Sequence, residues 1–136
     1  MKTILVGCFA FLCFASSSKA APMTAADLAD NCRAAVAEYS NAKGWNSDSA
    51  FKSGACTGFL EGFQNLDGAE ISVKDSVFTV GFVNGVTLGQ IARVFVKYIA
   101  DHPELEHKLA GVTLFDAMFE AKLIMLVPKT STVAMQ

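Results

Sequence analysis

Apolar residues recur every three or four positions along four stretches of this chain, and each repeat predicts an amphipathic helix. Leu28, Cys32, Val36 and Tyr39 mark the first, preceded by Thr24 and Asp27 at the spacing of a helix-start box and closed by "NAKG". Phe51, Ala55, Phe59 and Phe63 step by four along a second, which begins near Ser47 or Asp48. Ile91, Val94, Phe95, Tyr98 and Ile99 supply the core face of a third, opened by Thr87 with Gln90. Pro103 stops that helix and suits the first position of a fourth, with Asp101 or His102 as cap, so the two should meet at a sharp corner. Leu105, Leu109, Val112, Phe115 and Phe119 would line the fourth.

Two stretches break the helical rhythm. "AEISVKDSVFTVGFVNG" is rich in β-branched and aromatic residues without a helical period, which predicts a short strand or an extended connector. A last apolar run, "LIMLV", ends at Pro128, and residues 129–136 read as a flexible tail. The fold class expected is mainly all-α: a compact bundle of about four to five helices over residues 21–128, with one extended connector.

Within the second helix, Gly54, Gly58 and Gly62 stand four apart on one face. Each costs about 0.5–1 kcal/mol relative to alanine. Such a row lets another backbone approach closely, and a neighbouring helix is the expected occupant.

The amino terminus changes the chemical setting. Met1 and Lys2 lead into "TILVGCFAFLCFA" and then "SSSKAA", a secretory signal peptide over residues 1–20 with small residues at the cleavage site. Its apolar core is too short to span a bilayer, which predicts a mature protein without membrane insertion. "LVGC" matches the tetrapeptide before a lipid-modified cysteine, but it precedes any adequate apolar core. Cleavage near Ala20 removes Cys8 and Cys13 and leaves Cys32 and Cys56, which in an exported protein read first as one disulfide joining the first two helices. The full chain has 11 basic and 13 acidic residues. Losing Lys2 and Lys19 makes the mature chain more acidic, and no basic patch for nucleic acid is present.

Candidate chemistry is sparse. Cys56 with His102 or His107 as base is the minimum for a cysteine hydrolase, but no oxyanion motif accompanies it and the compartment favours the disulfide. His102 and His107 are five apart, about 140° around a helix, which does not suit a zinc pair. Asp101, Glu104 and Glu106 cluster where a helix start favours negative charge. Met118, Met125 and the phenylalanines read as core. The expectation is a protein with no catalytic residues, no cofactor and no metal.

The order of motifs carries more than any one of them. Cys56, Gly58, Phe59, Leu60 and Gly62 are followed by Gly85, Val86, Thr87 and Gln90, then by His102, Pro103, Glu104, His107 and Ala110, and finally by Ala117 and Met118. This order resembles the Rap/Tai family of immunity proteins from bacterial type VI secretion systems, over about Asn31 to Lys122. The resemblance implies a small, mainly helical periplasmic protein, often a homodimer, whose partner is a peptidoglycan amidase effector blocked by occlusion of its cleft. It assigns Gly58, Gly62, Gly85, Thr87, Gln90, His102 and Pro103 to the scaffold and does not identify the toxin-binding residues.

The chain departs from the family where a cysteine and a proline usually precede the Gly-Val-Thr segment, here Gly81 and Val83, and where another cysteine ends the last helix, near Leu123 or Ile124. Both cysteines are absent together, which implies that they normally pair and that Cys32 with Cys56 is the retained bridge. "VFTVGFV" either replaces that staple by apolar burial or leaves residues 69–86 less restrained. Two rivals remain: a periplasmic chaperone-like or general binding protein of the small helical acid-stress type, and the cysteine hydrolase.

Overall fold

A computed structural model describes residues 21–40, 46–73 and 76–129. The expected signal peptide over residues 1–20, the "NAKG" stop and residues 130–136 lie outside the described residues. Helix α1 spans Ala25–Tyr39, and its start follows the sequence closely. The Thr24 hydroxyl accepts from the Asp27 N–H, while Asp27 accepts from the Thr24 N–H at 3.0 Å. Helix α2 spans Ser47–Gln64 behind a second reciprocal box, Asn46 with Ser49. Helix α3 spans Leu88–Asp101 and α4 Ala110–Glu120. At α3 only half of the expected box forms: Thr87 accepts from the Gln90 N–H at 3.2 Å, with no return bond.

The sheet is where the all-α expectation needs correction. Strand β1 (Glu70–Val73) and β2 (Ser76–Phe82) form an antiparallel pair inside the expected connector, and "LIMLV" supplies β3 (Ile124–Pro128). The order is β1-β2-β3, with Phe82 opposite Ile124 and Thr79 opposite Val127. Burial along β2 is uneven and peaks at Val80. Val80 is buried and Phe82 half-buried, and the Phe82 ring meets Phe63 of α2 edge-on at 5.6 Å, docking the sheet on the helices. The molecule is therefore four helices plus a small antiparallel sheet.

The core is built mainly by α1, α3 and one face each of α2 and α4. Leu28, Leu60, Ile91, Phe95, Ile99, Leu114 and Met118 are almost fully buried. Cys32 and Cys56 are bonded at its centre, with Cα atoms 5.0 Å apart and no exposed surface. That bridge decides which side of α2 faces α1. Ser53, Cys56, Leu60 and Phe63 turn inward, so of the expected Phe51-Ala55-Phe59-Phe63 stripe only Phe63 is buried, Ala55 and Phe59 are half-buried on the flank, and Phe51 is left 75% exposed. The glycine row turns outward as well. A Cβ built on Gly54, Gly58 or Gly62 meets nothing within 4 Å, so no described neighbour of the same chain uses the close approach these residues allow.

α4 also starts later and in a different phase than the spacing predicts. Pro103 opens a 3₁₀ turn, Pro103–Leu105, instead of an α-helix. The reason lies in α1. Its first two N–H groups, on Ala25 and Ala26, donate to Lys108 and Glu106, while the Ala110 N–H donates to Met23. These bonds hold the turn at residues 106–108 and the extended Leu109 against the start of α1 and postpone α4 to Ala110. Glu104 and Glu106 therefore precede α4, and Asp101 closes α3, paired with Lys97.

Candidate interaction surface

The late start of α4 buries Ala110, Thr113, Leu114, Ala117 and Met118, a face made mostly of small or flexible side chains. Thr113 satisfies its hydroxyl on the Leu109 carbonyl at 3.1 Å. The bulkier apolar residues turn to solvent instead: Leu109 is 53% exposed, Val112 58% and Phe119 52%. Val112 and Phe119 are seven residues apart, nearly two full turns, and share one face. Exposed apolar residues grouped on one helix face make α4 the candidate interaction surface.

Two clefts flank it. On one side Gly58, Phe59, Gly62, Phe63 and Leu66 of the α2 region meet Gly111 and Phe115 around about 430 Å³ of almost wholly apolar space. On the other, Tyr98, Asp116, Phe119, Glu120, Lys122 and residues 124–126 surround about 790 Å³. Tyr98 is half-buried there, and its phenol pKa is raised, first by burial and then by the negative charges of Glu120, Asp116 and Glu104.

The residues singled out by the sequence do not converge on one site. Cys56 is bonded and fully buried, which removes it as a nucleophile. Gly85 adopts φ +82° in the turn between β2 and α3, a conformation that favours glycine. Thr87 caps α3, and Gln90 contributes its N–H to that cap. His102 closes α3 with its ring 4.6 Å from that of Tyr98 and its Nδ1 3.3 Å from Glu104, while His107 is exposed on the following turn. Pro103 begins the 3₁₀ turn. Among the described residues no His, Cys, Asp and Glu cluster could hold a metal ion, and no helix is long and apolar enough to cross a membrane.

The exposed apolar residues that sequence reasoning placed in the core are those of the α4 outer face. The signal was present as a second helical repeat, Ala110-Thr113-Leu114-Ala117-Met118, offset from the one chosen.

A family model of the Rap1a immunity proteins matches residues 24–121. The chain belongs to this family. The match runs from the cap of α1 to the end of α4 and takes in the disulfide, β1, β2 and the whole α4 face, leaving β3 outside. No curated protein and no solved structure matches the chain. For a Rap1a immunity protein the implied partner is another protein, a toxin. The geometry agrees in kind: an exposed apolar face on a disulfide-bonded core suits protein recognition.

Proposed function

We propose that the protein protects its own cell from a type VI peptidoglycan amidase toxin, acting in the periplasm after loss of residues 1–20 and covering the toxin's catalytic cleft. The observation that carries this reading is the family match over all four helices, which joins an immunity role to a chain whose α4 places Leu109, Val112 and Phe119 in solvent. Inhibition by occlusion needs no chemistry from the inhibitor. It needs a surface that is ordered beforehand, because each side chain frozen on binding costs about 0.5–1.5 kcal/mol. The Cys32–Cys56 bridge and the bonds between the start of α1 and residues 106–110 provide that order. We assign the family tendency to pair to the open glycine side of α2, where a Cβ on Gly54, Gly58 or Gly62 would meet nothing within 4 Å.

The test is co-purification with an amidase encoded beside the gene, together with deletion of the gene in a strain that delivers that amidase. Val112→Glu and Phe119→Glu should each weaken the complex by roughly thirtyfold or more while circular dichroism remains that of the parent. Absence of binding, with no loss of self-protection on deletion, would sink the proposal.

A further inference from the structure

The second cleft contains an electrostatic arrangement that the fold does not use. Asp116 and Glu120 lie one turn apart on α4, and Glu120 is its last residue. Like charges at this spacing repel, and negative charge in the last turn opposes the helix dipole. No basic residue occupies that turn, and among the described residues neither carboxylate joins an ion pair. Lys122, the cation on the rim, is likewise without an ion pair among the described residues. The two carboxylates therefore stand where they weaken α4, and although Lys122 lines the same cleft and Lys97 a smaller one beside Glu120, neither lysine pairs with them among the described residues.

The surroundings define what would compensate them. Below the carboxylates the lining is apolar and aromatic, with Tyr98, Phe119, Ile124 and Leu126. A divalent cation prefers six or more oxygen ligands and gains nothing from such a floor. A guanidinium gains from both parts: its planar face stacks on aromatic rings and its N–H groups donate to carboxylates, while its aliphatic stem covers apolar surface. We propose that the cleft between α3, α4 and β3 receives an arginine side chain presented by a protein partner, stacked against Tyr98 and Phe119 and bonded to Asp116 and Glu120. The phenol pKa of Tyr98, raised first by burial and then by the fields of Glu120 and Asp116, agrees with that placement. The inference stands on the cleft alone and does not depend on the toxin reading.

The experiment is an amide-resolved NMR titration of the mature, oxidised chain with N-acetyl-arginine methylamide, with the neutral isostere N-acetyl-citrulline methylamide, and with calcium chloride. Saturable shifts at Tyr98 and at residues 116–126 are expected for arginine, with affinity falling about tenfold for citrulline. The double variant Asp116→Asn, Glu120→Gln should lose about tenfold in arginine affinity and melt at a higher temperature than the parent. Equal affinity for citrulline, unchanged affinity in the double variant, absence of saturable shifts with arginine, or saturation by calcium alone would each overturn the proposal.

Discussion

Gly81 lies directly opposite Met125 across β2 and β3, and a Cβ built on Gly81 would stand 3.5 Å from the Met125 Cγ. The resemblance to the Rap/Tai pattern implies a cysteine at the position of Gly81 and another near Leu123 or Ile124. The pairing of β2 with β3 sets Gly81 opposite Met125 and Phe82 opposite Ile124, so a bridge across the two strands would close the sheet as the strand pair already does. Gly81→Cys with Met125→Cys should form a bridge on air oxidation and stabilise the domain by about 2–4 kcal/mol, read from denaturant midpoints. Two free thiols in the purified double variant would contradict it.

Cys56→Ala should lower stability by roughly 3 kcal/mol, since the native bridge closes a separation of 24 residues. Guanidinium unfolding with and without reductant measures the same quantity. The reduced parent and the variant should unfold at similar midpoints, and an unchanged midpoint in the variant would exclude a structural role for the bridge.

Lys122 adopts φ 57° just after α4, where the Leu123 N–H donates to Met118 and the Lys122 N–H to Phe119. This closing turn normally holds glycine. Lys122→Gly should therefore stabilise the protein by about 1 kcal/mol in thermal or chemical unfolding, despite the usual cost of glycine elsewhere. A destabilised variant would mean that the lysine side chain contributes more than its backbone loses.

Asp27 has its pKa lowered from 3.8, chiefly by the Thr24 hydroxyl and then by the Thr24 N–H. A group depressed on folding adds stability above its unfolded pKa and loses it as the pH falls through the folded value. The stability gap between the parent and Asp27→Asn should thus be full at neutral pH, begin to shrink near pH 3.8, and close at lower pH. A gap that persists unchanged in acid would remove the carboxylate from the cap.

Local features were legible in the chain. The Thr24–Asp27 box, the Cys32–Cys56 bridge and the core positions Ile91, Phe95 and Ile99 all rest on residues near one another in sequence or on the chemistry of an exported chain. What escaped depends on distant partners. β2 becomes a central strand only because β3 joins it from beyond α4, and neither run has a clean alternation of its own. α4 carries apolar residues on both faces, so its phase is set by where it starts, and that start is fixed by hydrogen bonds from Ala25 and Ala26. The interaction surface was hidden for the same reason: Val112 and Phe119 belong to the face that periodicity alone assigned to the core.

If residues 1–20 are removed, as proposed above, the bonds at the start of α1 set a tolerance for that processing. A cut near Ala20 leaves Ala21, Pro22 and Met23 ahead of Thr24. A cut only four residues further along would remove both the Thr24 cap of α1 and the Met23 carbonyl that receives the first N–H of α4. Two helices distant in sequence thus share one narrow margin of error at the amino terminus, and ragged maturation there would loosen the exposed face of α4 without altering any residue on it.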